Sequence, residues 1–245
     1  EAKKIFVSLI NTHGEKDSFL NGMLKYFIRT DNLAEVLPLK DRFLEKGLNG
    51  EDLAELSGYL LEKRYEPKPS DSDKLRESIE DVRELLEKSL KQTPDNPEAN
   101  YNMARFFIYN RKNEAAEQYL EKAIGLYENS GKMTPKRLLR QLDSMRLYGE
   151  LLSGSKRYNE ALETFANALS KYGDYTAQKL IYPSKTVGKL YEDYGDILYF
   201  ISRNAADDYD YDAALDAYEN AVKELNDTPS VQYKMGYIHY KKENY

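Results

Sequence analysis

The run DYDYDAALDAYE brings the carboxylates of this chain nearest to a recognisable chemistry. Asp208, Asp210, Asp212 and Glu219 stand at the first, third, fifth and twelfth places of a calcium loop, with Leu215 at its apolar place. Oxygen ligands at that spacing wrap a hard cation when a Gly at the sixth place turns the chain sharply. Ala213 stands there instead, and from Asp212 onward the same residues carry the spacing of a helix. A chain cannot be loop and helix at once, so a helix is expected, and only Asp207, Asp208 and Asp210 are left as weak surface ligands. His13 and His239, the two histidines, lie at opposite ends of the sequence. Cys is absent, which removes thiolate nucleophiles, disulfides and cysteine-held zinc. No Gly-rich phosphate loop follows a strand, Ser153-Gly154-Ser155 reads as a turn between helices, and Asn226-Asp227-Thr228 is only a formal glycosylation sequon. The expectation is a chain that is not an enzyme, with no catalytic residue, no metal and no cofactor.

Composition describes what such a chain is built from. Of 245 residues, 41% are hydrophobic and 32% charged, and the mean hydropathy is −0.76. These values suit a soluble, surface-rich helical protein without a membrane span; the compartment is left open, with bacterial cytoplasm and periplasm both possible. A net charge of −6 argues against nucleic acid, which demands a concentrated basic surface. Tyr is abundant, at 22 residues, while Trp is absent.

The elements show themselves as a repeated pattern. A small residue, a large one four places on and a small one three places further recur as Ala116, Leu120 and Ala123; as Ala161, Phe165 and Ala168; and as Ala214, Tyr218 and Ala221. Each trio follows a pair suited to close helix contact, namely Met103-Ala104, Tyr148-Gly149 and Tyr194-Gly195. With insertions set aside the period is about 34 residues, which indicates antiparallel helix pairs stacked in series. Gly149 is expected to face Ala161, where only small side chains let two helix backbones approach. Leu20, Met23, Leu24 and Phe27, followed by Val36, Lys40 and Phe43, keep this register while breaking the Ala rule. Ala54, Ser57, Gly58 and Leu61, then Val82, Leu86 and Ser89, form another copy around an insertion that holds Pro67 and Pro69.

In these residues the chain resembles the tetratricopeptide repeat family, with KRYNEALETFANAL the strongest local match. The resemblance implies an all-α, right-handed alpha-alpha superhelix, a TPR solenoid. The expected units are about 1–16 (partial), 17–50, 51–96 (with insertion), 97–130, 142–175, 188–228 and 229–245 (partial), with insertions at about 64–76, 131–141 and 200–210. Pro135 is expected to lengthen the helix that follows it. Half-units at both ends, with Ala2, Phe6 and Leu9 in the first, suggest a fragment of a longer protein.

The resemblance also implies that the first helix of each pair lines a concave, partner-binding face. Transferred residue by residue, it places Lys25, Tyr59, Tyr101, Arg105, Tyr109, Glu192, Asp196, Tyr199, Tyr233 and Tyr237 there. Tyr offers broad contact and a hydroxyl at low entropy cost, which suits a protein or peptide partner. Tyr148, Tyr158, Tyr194, Tyr211 and Tyr218 stand where the family packs aromatics, and His239 where it packs Tyr. Residues 188–228 hold eleven acidic and three basic side chains, a net of −8 in a chain of −6. That asymmetry favours a basic partner towards the C-terminal end. The expected function is a non-enzymatic interaction scaffold that binds a peptide or helix. The alternatives are a spacer within a larger complex or an accessory region of a modular enzyme. In composition the chain also resembles large repeat proteins of the bacterial envelope and flagellar assemblies.

Overall fold

The computed structural model describes residues 4–5, 8, 12, 17–32, 48–65, 72–129, 131, 134–204 and 211–243. It contains the helices α1 (Asp17–Arg29), α2 (Gly50–Tyr65), α3 (Ser72–Gln92), α4 (Pro97–Tyr109), α5 (Asn113–Glu128), α6 (Pro135–Gly154), α7 (Tyr158–Ala177), α8 (Lys185–Asn204), α9 (Asp212–Lys223) and α10 (Pro229–Glu243). No strand occurs among the described residues. The chain divides into two compact units, Glu1–Tyr119 and Leu120–Tyr245, with the boundary inside α5. Ala2, Phe6, Leu9, His13, Val36, Lys40, Phe43, Pro67, Pro69, Asp207, Asp208 and Asp210 lie outside the described residues.

Local chemistry starts and stops these helices. The Asn96 side chain accepts from the Ala99 amide at 3.1 Å, and that of Thr134 from the Arg137 amide at 3.3 Å, each just before a Pro at the first helical place. Thr228 does the same for Val231 ahead of Pro229. Such caps satisfy amides that the helix itself leaves open, and Pro has none to lose. Five helices run into a non-glycine residue at positive φ, namely Asp31, Arg111, Lys156, Lys179 and Leu225. At each, the next amide reaches back five residues to a helix carbonyl, as Arg157 does to Leu152 at 2.9 Å.

In the first unit α2 packs on α1, α3 and α4. Leu20, Met23, Leu24 and Phe27 of α1 are buried, as are Ala54, Ser57 and Leu61 of α2 and Val82, Leu86 and Ser89 of α3. The Asn102 side chain donates to the Ala54 carbonyl at 3.0 Å, tying α4 to α2 in a buried setting. Gly58 leaves room for it, since a Cβ there would stand 2.8 Å from Asn102 Nδ2.

The second unit repeats one scheme. α6 packs on α7 and α8, α8 on α7 and α9, and α9 on α10. Ala161, Phe165 and Ala168 of α7 are buried, and so are Ala214, Tyr218 and Ala221 of α9. Gly149 faces the ring of Phe165: the atoms nearest its missing Cβ belong to that ring, the first at 2.6 Å. A helical side chain leans towards its own N-terminus, so the Phe165 ring lies at the level of the turn before it. Gly195 and Tyr218 repeat the arrangement at 2.7 Å.

Helix lengths explain the insertions. Pro135 opens α6 seven residues before Leu142, so much of the expected insertion is simply more helix. α8 likewise runs on to Asn204, and α9 starts at Asp212, the residue where the calcium-like run was expected to turn helical. Asp212 pairs with Lys242. His239 is exposed, contrary to expectation. α10 packs through Val231, Met235 and Ile238, whereas a Cβ on Gly236, in the turn below His239, would meet nothing within 4 Å.

Candidate partner-binding surface

One face of α8 carries a dense cluster of charges in the second unit. Lys189, Glu192, Asp193, Asp196, Tyr199 and Arg203 recur at helical spacings of three and four, so they share a side. The Glu192 carboxylate is buried and accepts from Lys189 Nζ at 3.1 Å, Lys234 Nζ at 2.7 Å, Asn226 Nδ2 at 2.9 Å and Ser230 Oγ at 3.2 Å. Burial alone would raise its pKa. The hydrogen bonds from Lys234, Asn226 and Lys189 outweigh burial and hold the carboxyl at about 2. Lys234 also donates to Asp196 at 2.8 Å, whose other oxygen accepts from the Tyr218 hydroxyl at 2.8 Å.

The same charges continue on α6. Arg146 Nε meets Asp143 at 2.8 Å, while one terminal nitrogen meets Glu150 and Asp193 at 3.0 Å each. Lys189 closes the link, 3.0 Å from Asp193. A ladder of alternating sign thus joins α6, α8 and α10. Beside it lies a recess of about 320 Å³ lined by Glu150, Asp193, Asp196 and Phe165, among others. Crowding by the protein raises the Glu150 carboxyl although 41% of its side chain stays exposed; Arg146 opposes this and Asp193 adds to it.

A second cavity, of about 300 Å³, is lined by Tyr199, Arg203, Tyr218, Tyr233, Lys234 and Tyr237. Its rings are ordered by one another: Tyr199 stacks on Tyr211 at 5.3 Å between centroids and meets Tyr237 edge-on at 6.2 Å, and Tyr233 stacks on Tyr237 at 6.3 Å. Lys234 Nζ lies 5.6 Å from the centre of the Tyr218 ring. Tyr233 is 73% exposed.

The structure therefore brings Glu192, Asp196, Tyr199, Tyr233 and Tyr237 together in the second unit. In the first, Lys25 reaches Asp52 at 3.0 Å, and that hydrogen bond raises its pKa. Tyr59 is buried and donates to Asp31 at 3.1 Å; burial first, then Asp31, pushes its hydroxyl up to about 12. Tyr101 is buried beneath Arg105, whose guanidinium carbon sits 5.4 Å from the ring centre and whose NH1 lies 3.8 Å from Glu62. Tyr109 is exposed. Sequence reasoning missed Arg203 and Lys234. Arg203 follows Tyr199 by one helical turn, a signal legible only once α8 is known to continue through the insertion.

The fold is that of tetratricopeptide repeat proteins. Residues 85–118 match the family model described as tetratricopeptide repeat. Among solved structures, the chain is similar to YrrB, described as a TPR protein with an unusual peptide-binding site, at 15% identity, with 97% of each chain covered and a TM-score of 0.57. It also matches the APC/C hetero-tetramer Cut9–Hcn1 at 13% identity, covering 98% of this chain and 46% of that one, with a TM-score of 0.43. No curated protein sequence matches this chain. No helix among the described residues is long and apolar enough to cross a membrane.

Proposed function

We propose that this chain is a non-enzymatic protein–protein interaction scaffold that takes up a partner peptide or helix along the face of α8 and α10. The observation that carries the reading is the tyrosine-lined cavity: four phenols converge there, among them Tyr199, Tyr233 and Tyr237 of the residues expected to touch a partner. Tyr rings fixed by mutual stacking lose little freedom on binding, so contact area converts efficiently into affinity. The peptide-binding description of YrrB supports the same mode of use. The recess lined by Glu150, Asp193 and Asp196 suits a basic residue of the partner, in keeping with the acidic balance of residues 188–228. Of the other candidates, Lys25, Arg105 and Tyr109 would add contacts on the first unit, while the buried Tyr59 and Tyr101 would support that surface from beneath.

A photo-crosslinking amino acid at Tyr233 tests this. In extract from the source cell it should capture a discrete protein that the same group at Tyr182, 75% exposed on a loop, does not. Equal capture at both positions, or none at Tyr233, would remove the tyrosine cavity as the binding site.

A further inference from the structure

The two hollows beside the charge ladder differ in chemistry. The recess is lined by carboxylates, whereas among the described residues no carboxylate lines the tyrosine cavity. Its two cations are not equivalent. Lys234 is held by Glu192 and Asp196, each at 2.7 Å, so its charge is already matched. Arg203 is exposed and forms no ion pair among the described residues. Among the described residues, the cavity therefore offers apolar ring surface with one positive charge outside any ion pair on its lining, the reverse of the acidic balance of residues 188–228. At about 300 Å³ it stands at the lower end of ligand pockets, with room for one large side chain rather than a length of chain.

We propose that the tyrosine cavity is a subsite for an aromatic side chain of the partner, with a neighbouring Asp or Glu of that partner set against Arg203. The inference rests on the scaffold reading and sharpens it. The partner segment carries an aromatic–acidic pair for the cavity, distinct from any basic residue set against the Glu150 recess. Ring burial among Tyr199, Tyr233 and Tyr237 supplies the affinity, since desolvating an aromatic side chain outweighs an exposed ion pair. The Arg203 charge supplies selectivity, because a guanidinium receives a carboxylate through two parallel N–H donors and repels Lys or Arg at the same place.

Selection of a random peptide display library on the full chain tests the proposal, with selected peptides resynthesised for fluorescence anisotropy. The expected consensus places Phe, Tyr or Trp beside Asp or Glu. Tyr233→Ala should weaken those peptides about tenfold. Arg203→Glu should weaken them about threefold and favour versions in which the acidic residue is replaced by Lys. Circular dichroism of both variants confirms that each stays folded. A consensus without the pair, or peptides indifferent to Arg203→Glu, overturns this proposal and leaves the scaffold reading standing. A library that yields no binder at all overturns both.

Discussion

The missing side chain of Gly149 is replaced by the ring of Phe165, whose Cε1 occupies space 2.6 Å from where a Cβ would be. The repeat signature therefore reads as a pair: a glycine on the first helix and an aromatic one turn beyond the first alanine of the second. Gly149→Ala should gain a little helix propensity and lose more to overpacking. A net destabilisation of about 1–2 kcal/mol is expected in urea titration. Adding Phe165→Leu should recover part of that loss, a coupling a double-mutant cycle measures directly. Simple additivity would show that the two residues do not share the site.

Glu192 makes the second unit acid-sensitive. Its folded pKa, about 2, lies below the unfolded value near 4.5, so the native state binds fewer protons in that range. The stabilisation is complete above the unfolded pKa and is lost as pH falls from about 5 towards 2, on the order of 2–3 kcal/mol. Glu192→Gln should be less stable at pH 7 and should lose less on acidification. Parallel melting curves at pH 7, 4 and 3 would show the two chains converging.

Arg146 serves three carboxylates with a side chain that is only 12% exposed. Arg146→Met should cost about 3 kcal/mol, because Asp143 and Asp193 each lose a buried charge partner. Arg146→Met combined with Asp193→Asn should cost less than the sum of the two single changes. Denaturant midpoints of the three variants test it.

Tyr233 and Tyr218 line one cavity yet separate binding from stability. Tyr233 is mostly exposed, so Tyr233→Ala should change stability by no more than about 0.5 kcal/mol while weakening partner binding about tenfold. Tyr218→Phe keeps the ring against Gly195 but loses the hydroxyl that donates to Asp196, at a cost of about 1 kcal/mol. Thermal melts and a binding titration on the same preparations distinguish the two roles.

The helix pairs were legible because backbone approach leaves a mark in residue size: Ala161, Ala168, Ala214 and Ala221 are all fully buried where the period put them. The ring against Gly149 was not foreseen, because spacing along a helix says which residues share a face and not how far a ring leans along it. Charges were hardest to read. Glu192 was expected to face a partner, but its carboxylate is bound by residues of α8, α10 and the segment between α9 and α10. Local sequence cannot announce contacts with residues forty places away. Tyr59 and Tyr101, placed on the open face by register, are instead covered.

The charge ladder also bears on how this sequence drifts over evolutionary time. Lys189 answers to Asp193 and Glu192 together, and Asp193 answers in turn to Arg146. A lineage that exchanges one of these residues alters the background against which its neighbours are selected, even across two helices. Substitutions along α6, α8 and α10 should accumulate as compensated sets, with reversals of sign travelling together, while the exposed ring of Tyr233 varies according to the partner alone.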